Sequence, residues 1–107
     1  MRYPTKAVGD GTLVASRIAA TAFCRMVGVV GQNNGADAYL HIFELAAVPA
    51  NGTKPKFSCS IDAARPFTFF LQTPVDMDAC CVAISSTQET LTAAAGTPVT
   101  IQVLLAS

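Results

Sequence analysis

The chain has 107 residues, of which 51% are hydrophobic and only 13% are charged, and its formal net charge is zero. A single domain is expected at this length, and the charged fraction is well below the roughly 25% of an ordinary soluble domain. No apolar run approaches the ~18 residues of a membrane-spanning helix, and the basic residues are too sparse for a nucleic-acid footprint. We therefore expect permanent association with protein subunits, without nucleic acid or membrane as partners.

The charges are unevenly distributed along the chain. All seven basic residues and four of the seven acids lie within residues 1–65, which gives +3, whereas residues 66–107 hold three acids and no base, which gives −3. Such a separation would suit head-to-tail contacts between copies or a grip on an acidic partner.

The N-terminal segment, residues 1–20, contains Pro4, Gly9 and Gly11 among scattered charges. Such a segment frays unless something holds it, so we expect an extended arm clamped by a neighbouring molecule, followed by a single domain over residues 21–107. Glycine and aspartate stand where a secretory signal would need an apolar core. We therefore expect no signal peptide and assembly in a reducing cytoplasm.

Short β-branched or aromatic segments, bounded by Gly, Pro and Asn, follow the arm and indicate strands rather than helices. They predict an all-β chain, a single antiparallel β-sandwich or jelly-roll-like domain of about seven strands. The predicted strands are 12–17, 23–32, 38–45, 56–61, 67–72, 80–85 and 99–106.

Glycine and proline positions refine these strands. The Asn-Gly pair at 34–35 is typical of a tight hairpin, so we expect the strands on either side to pair antiparallel. Gly28 and Gly31 interrupt a strand and predict a bulge or the close approach of another backbone. Pro66 and Pro74 cannot donate to a ladder, so they predict strand ends.

Two of the connections between predicted strands have distinctive sequences. The stretch Pro49-Ala50-Asn51-Gly52-Thr53 predicts a corner, because proline fixes φ and Asn-Gly accepts a left-handed backbone. Its Asn-Gly-Thr also spells a glycosylation acceptor, which has no consequence without secretion. Residues 86–89 match a capping box before an alanine-rich stretch that ends at Gly96, which leaves open a single helical turn or a loop or hairpin connection.

The only histidine, His41, shares one face of its strand with Tyr39 and Phe43. Catalysis through it would need a nearby nucleophile and an orienting carboxylate, and no Gly-x-Ser-x-Gly elbow is present. We expect a partly buried strand histidine that makes one hydrogen bond, and no catalytic residues.

The candidate metal ligands are four cysteines and an acidic pair. No C-x-x-C spacing occurs, and the adjacent Cys80 and Cys81 point to opposite faces of a strand, so we expect free thiols rather than a zinc site. A bridge between Cys24 and Cys59 stays open. Two carboxylates at positions 76 and 78 could take calcium, but their apolar neighbours favour a solvated loop. We expect no metal and no cofactor.

Two predicted strands are apolar on both faces. Phe67 and Phe69 oppose Phe70, and Leu40 opposes Tyr39 in the same way. A small sandwich has one inner face per sheet, so the second face needs another cover. That cover is either another subunit or the arm folded back.

Several stretches together carry a resemblance to a known group of proteins. They are Asn34-Gly35 with Tyr39-Leu40-His41-Ile42-Phe43, Ala47-Val48-Pro49-Ala50-Asn51-Gly52-Thr53 with Pro55, Val82-Ala83-Ile84-Ser85-Ser86-Thr87, and Leu91-Thr92. Over about residues 24–92 the chain resembles the small β-sandwich virion proteins of tailed bacteriophages. It departs from them at Ala79-Cys80-Cys81, which stands in place of a glycine-containing turn.

The resemblance implies a non-enzymatic virion protein, first of all a capsid decoration or cement protein that bridges neighbouring major capsid protein subunits. A tail, baseplate or fibre module, structural or receptor-binding, is the alternative. The implied partners are the major capsid protein and copies of the chain itself, with a trimer favoured. The expected contact residues are the arm side chains and the outward apolar side chains: Arg2, Tyr3, Lys6, Arg17, Tyr39, Phe43 and Phe70.

Overall fold

The computed structural model describes residues 5–9, 11–93 and 99–106. Within them every regular element is a strand, and no helix long and apolar enough to cross a membrane occurs in these ranges. The strands are β1 (Thr5–Val8), β2 (Ser16–Ala20), β3 (Cys24–Asn33), β4 (Ala38–Phe43), β5 (Phe57–Ile61), β6 (Arg65–Met77), β7 (Cys80–Ser85) and β8 (Val99–Ala106).

The strands form two four-stranded antiparallel sheets that pack face to face. Sheet A has the order β1-β8-β3-β6, and sheet B has the order β2-β7-β4-β5. Strands from the two halves of the chain pair in a nested way: β1 with β8, β2 with β7, β3 with β6 and β4 with β5. This is the connectivity of an eight-stranded jelly roll. The all-β sandwich is confirmed, with eight strands instead of about seven.

The core lies between the two sheets and follows the period of two that strands impose. In β8 the side chains alternate between buried and half-buried, whereas all six residues of β7 are buried. A strand buried on both faces needs a second covering layer, which is described below. The core side chains are Cys24, Met26, Val29, Leu40, Ile42, Ile61, Phe67, Met77, Cys80, Val82, Ile84, Val99, Ile101, Val103 and Leu105.

The predicted arm does not exist as a separate unit over the residues that the structure describes. Strand β1 pairs with β8, and β2 pairs with β7, so both are integral to the sandwich. Between them Val14 forms a bridge with Val99, whose N–H donates to the Val14 carbonyl at 3.1 Å. Four-residue β1 is too short to show a pattern, and its partner lies near the other end of the chain. Over the described residues, the segment assigned to the arm (1–20) is therefore part of the same sandwich as residues 21–107.

The predicted hairpin at Asn34-Gly35 is also wrong, because β3 belongs to sheet A and β4 to sheet B. The buried Asn33 side chain builds a corner instead. Its Nδ2 donates to the carbonyls of Ala36 (2.9 Å) and Asp62 (3.1 Å), and its Oδ1 accepts from the Gly35 N–H at 2.9 Å. Turn residues indicate that the chain reverses, but they do not say which sheet it enters.

Strand β6 runs through Pro66 and Pro74 instead of stopping at them. It is an edge strand of sheet A, where a missing N–H can face solvent. The β3–β6 register also shifts, because Met26 pairs with Val75 whereas Gly28 pairs with Phe70. Residues 71–74 therefore have no register partner in β3, and the second proline lies in this irregular stretch.

The close backbone approach predicted at the glycines of β3 is confirmed. A Cβ at Gly28 would lie 2.5 Å from the Phe69 carbonyl oxygen and 2.6 Å from the Phe70 ring. A Cβ at Gly31 would collide with the Thr100 carbonyl oxygen and lie 2.7 Å from the Phe67 ring. The bulge is confirmed as well, since the register shifts between Met26 and Gly28 against both neighbouring strands.

We predict that Gly31→Ala lowers the free energy of unfolding by roughly 2–4 kcal/mol, because the added methyl meets main-chain atoms of β8 that cannot rotate away. Urea denaturation measures the change. Gly11→Ala is the matched control: its Cβ would meet no atom within 4 Å, and a change within about 0.5 kcal/mol is expected. Equal stability of the two variants would contradict the close approach.

Candidate functional surfaces

The outer face of sheet B is covered by two connections of the chain itself, residues 44–56 and 86–93, which we call the loop cover. The two segments bond to each other: Gly52 N–H donates to the Leu91 carbonyl (2.7 Å), and Leu91 N–H donates to the Thr53 carbonyl (2.9 Å). Phe43, Cys81, Ala83 and Leu91 form a small buried apolar cluster beneath it. On sheet B, the second cover that the sequence required is thus supplied by the chain's own loops.

The corner at residues 49–53 is confirmed and forms part of this cover. Gly52 has a φ of 93°, and the Thr53 N–H donates to the Ala50 carbonyl at 3.3 Å. The Asn51 side chain adds a contact that the turn spelling did not predict, since its Oδ1 accepts from the Ala93 N–H at 3.0 Å. In the other segment residues 86–93 form no helical turn, and the end of the alanine-rich stretch, 94–98, lies outside the described residues.

The start of the loop cover is fixed by Glu44. Its carboxylate accepts from the Asp78 N–H at 2.8 Å and from Lys56 Nζ at 3.3 Å. These two donors, the backbone amide first, hold the pKa of Glu44 below its ordinary value. The exposed ion pair contributes little by itself, but the amide contact ties the loop cover to the β6–β7 turn.

His41 lies on the outer face of β4 beneath the loop cover, and it is fully buried. We expected one hydrogen bond, yet neither ring nitrogen has a partner within hydrogen-bonding geometry. The ring instead meets Phe43 edge-on, with 5.9 Å between ring centroids. Burial lowers the pKa of His41, while the nearby backbone of Gln88 and Thr87 acts in the opposite direction. A neutral imidazole is favoured, and a substrate from solvent cannot reach it in this conformation.

The candidate metal ligands form no group of three in the described residues that could hold an ion. Asp76 accepts from Arg25 Nε at 2.7 Å, and Met77 beside it points into the core. All four cysteines are free thiols; burial raises the pKa of Cys80 to about 12 and that of Cys81 to about 11. Within residues 5–9, 11–93 and 99–106 no group of three His, Cys, Asp or Glu side chains is placed to hold a metal ion.

The charge asymmetry of the sequence does not become two poles in the fold. Arg25 from the basic half pairs with Asp76 from the acidic half. Lys56 pairs with Glu44, both from the basic half. Head-to-tail contact between a basic and an acidic end stays a prediction.

The predicted contact residues do not converge on one surface. Arg2 and Tyr3 lie outside the described residues. Lys6 on β1 is exposed, and Arg17 on β2 is partly exposed; both strands lie at the same side of the sandwich. The remaining three predicted contact residues lie on the two sheets: Tyr39 and Phe43 on sheet B, and Phe70 on sheet A.

Tyr39 is half-buried on the outer face of sheet B, where it lines a polar hollow with Asp37 and Asp62. Phe43 is on the same face, as its spacing from Tyr39 requires, but it is only 1% exposed beneath the loop cover. The expectation that Phe43 points outward to a partner is therefore wrong. Phe70 is 57% exposed on the outer face of sheet A.

Among the residues that the structure describes, the outer face of sheet A is almost free of charge. Its side chains are small, apolar or polar without charge, apart from Arg25 and Asp76, which neutralise each other. Phe70 projects from a row that crosses all four strands in register. That row is Ala7, Leu104, Gly28 and Phe70, and the neighbouring row is Gln102, Val30 and Thr68.

A second apolar surface was not predicted from the sequence. Phe23 is 65% exposed and lines a hollow with Lys6, Ala19 and Leu105 at the side formed by β1 and β2. Its position one residue before a strand was the available signal, but we assigned it to the strand itself. An aromatic side chain just outside a strand has no required face, and so it is free to remain on the surface.

No family model matches the chain, and neither curated proteins nor solved structures give a significant match. The resemblance to phage virion proteins therefore stays a prediction.

We predict that stability falls on acidification below about pH 6.5, because the unfolded chain protonates His41 while the folded chain resists it; the slope is at most about 1.4 kcal/mol per pH unit for one group. The folded pKa of His41 is lowered, so the folded state binds fewer protons in this window. Glu44 acts in the same direction in a more acidic window, since its depressed pKa contributes stability above pH ~4.5 that is lost as the pH falls further.

The test compares urea denaturation of wild type and His41→Leu at pH 5 and pH 7.5. The variant removes two unpaired buried nitrogens, so we expect equal or greater stability at the higher pH and a flatter pH dependence. If His41→Leu leaves the change in unfolding free energy between pH 5 and pH 7.5 unaltered, a group other than His41 controls the pH dependence in this range.

Proposed function

We propose that the protein is a non-enzymatic structural subunit of a viral particle, which docks onto the particle through the outer face of sheet A. The observation that carries the proposal is this uncharged face with Phe70 exposed at its edge strand. Monomeric soluble domains usually carry polar and charged side chains on an exposed sheet face. On this face the two charged side chains, Arg25 and Asp76, form an ion pair with each other.

The size of the face suits docking. Four strands about 4.8 Å apart, with a rise of about 3.3 Å per residue, present on the order of 400 Å². That is about half of the roughly 800 Å² that each partner contributes to a standard interface. Neighbouring elements at the rim, including the surface around Phe23, can supply the remainder.

The fold adds support at the level of analogy. Eight-stranded jelly rolls recur in viral capsid proteins, and also in lectin domains and cupins. A shared fold does not assign a function. A cupin-like enzyme would need a convergent polar or metal site, however, and the described residues offer a buried histidine and no group of three His, Cys, Asp or Glu side chains placed to hold a metal ion.

The position in the particle follows from the resemblance of the sequence. We propose a decoration or cement protein that contacts neighbouring major capsid protein subunits and copies of itself. Each bound copy would stabilise the assembled shell by mass action, because it binds the shell and not the free subunits. The trimer favoured from the sequence stays a prediction.

We predict that Phe70→Asp weakens binding to the shell at least about tenfold, because docking would bury an unpaired carboxylate. The assay adds purified protein to shells of the encoding virus that lack this chain and measures co-sedimentation. Val48→Asp is the matched control, since it places the same charge at an exposed apolar position of the loop cover, on the opposite side of the sandwich, and wild-type binding is expected.

Wild-type affinity of Phe70→Asp, with its fold confirmed by circular dichroism, would overturn the role of this face. Electron microscopy with an antibody against the chain provides the second readout. Labelling of heads is expected; labelling of tails or fibres would replace the decoration role with the tail or receptor-binding alternative, which a glycan array would then resolve.

A further inference from the structure

Strand β5 is the one sheet edge in the described structure that lacks a device against pairing. Natural edges are blunted by proline, charge, bulges or shortness. Edge β6 has Pro66, Pro74 and an irregular stretch; β2 has Arg17 and a register shift; β1 is four residues long and carries Lys6. Edge β5, Phe-Ser-Cys-Ser-Ile, has no proline, no charge and a regular register with β4.

The sequence of β5 is complementary to itself. Read from either end it is a large apolar residue, serine, cysteine, serine and a large apolar residue. In an antiparallel pair with a two-fold axis at Cys59, Phe57 stands opposite Ile61 of a second copy, and Ser58 stands opposite Ser60. Aromatic with β-branched pairs and paired hydroxyls stabilise antiparallel ladders. This register also matches all five residues, whereas any shift leaves some unpaired.

The flanking charges are complementary in the same register. Lys56 precedes β5 and Asp62 follows it, and the positions 56 and 62 are equidistant from Cys59. Each lysine would therefore stand opposite the aspartate of the other copy. Lys54 and Lys56, with Glu89, line a hollow at one end of the edge, and Asp37 and Asp62 line the hollow at the other end, so the two-fold axis brings basic and acidic hollows together.

We propose that β5 pairs antiparallel with β5 of a second copy about a two-fold axis at Cys59, which joins two B sheets into one continuous eight-stranded sheet. The main-chain groups of β5 that face away from β4 supply the hydrogen bonds. Packing of Phe57 against Phe69 of sheet A, with 5.9 Å between ring centroids, already holds the edge in place before pairing. The proposed pairing of two β5 strands does not depend on the proposed function.

Cysteine cross-linking tests the axis directly. Opposed residues in an antiparallel pair have Cα atoms about 4.5 or 5.5 Å apart, within the ~4.4–6.8 Å that a disulfide spans. Cys59 is half-buried on the core-facing side, where it packs beside Leu40 in the ladder, whereas the other three cysteines are buried. With copper-phenanthroline and air as oxidant, two Cys59 thiols should lose two electrons and two protons and give a covalent dimer.

Cys59→Ser should abolish this dimer, and Cys24→Ser should retain it. In the Cys59→Ser background, a mixture of Ser58→Cys and Ser60→Cys chains should form the mixed disulfide, and each variant alone should not. Formation of the mixed disulfide alone would place residue 58 of one copy opposite residue 60 of the other, which defines the register. A cross-link that persists in Cys59→Ser, or efficient cross-linking of either serine variant alone, would overturn it.

Charge reversal tests the same contact without cysteine chemistry. Asp62→Lys places lysine opposite Lys56 at both ends of the edge and should weaken dimerisation about 3- to 30-fold. Lys56→Asp/Asp62→Lys restores opposite charges and should recover most of the loss. Sedimentation equilibrium at 1 µM to 1 mM protein measures both, at low and moderate salt.

A monomer throughout that range would overturn the pairing, as would a dimer or trimer whose affinity neither charge variant alters. These results are separable from the shell assay. Absence of β5 pairing in the wild-type protein, with Phe70-dependent shell binding intact, would refute only this inference. Pairing through β5 without any effect of Phe70→Asp on shell binding would refute only the docking face on sheet A.

Discussion

The outer face of sheet B is covered by the chain's own loops, and this determines which surfaces are left for partners. Strand β7 buries all six of its side chains because the loop cover lies over its outer face. The cover is held by backbone hydrogen bonds between its two segments and by the Asn51 amide, so its polar groups are satisfied where they are buried. Sheet A has no such layer in the described residues, and its outer face stays open.

This arrangement also changes the meaning of the composition. The accessible surface is 5749 Å², close to the ~5,700 Å² expected for a compact monomer of this mass. Many of the apolar side chains therefore lie on β4 and β7, which are covered on both faces, instead of on the surface. The need for partners follows from the particular face and edge left uncovered, and no longer from the hydrophobic fraction alone.

The sequence predicted the strands well where their pattern is local. Strands β7 and β8 have the predicted bounds, since period-two alternation or a continuous apolar run flanked by turn residues is visible within a few positions. The pairings were not predictable in this way. Strand β1 pairs with β8 from the opposite end of the chain, and Asn-Gly at 34–35 indicates reversal without indicating the sheet. Long-range pairing depends on the global fold.

The candidate surfaces were likewise predictable only where they depend on a local sequence pattern. Periodicity placed Phe43 and Tyr39 on one face, but only the path of residues 44–56 and 86–93 decides that Phe43 is buried. Those connections are rich in threonine and alanine and contain two prolines, and nothing in that pattern shows that they fold onto a sheet. The symmetry of β5 was visible in the sequence as Phe-Ser-Cys-Ser-Ile, but its significance required the sheet order, which makes β5 an edge.

The two proposed contacts are geometrically compatible, and together they replace the arm as the means of bridging. Pairing at β5 uses the edge of sheet B, so the outer faces of sheet A remain free on both copies. A dimer would then present two docking faces, one on each sheet A, held together by the continuous sheet formed from the two B sheets. Bivalent attachment of this kind can strengthen binding by about 10²- to 10⁴-fold without any new contact, provided that the spacing of the two faces matches two sites on the shell. Bridging of neighbouring subunits would thus follow from the symmetry of the pair, and the short N-terminal strand would serve the fold alone.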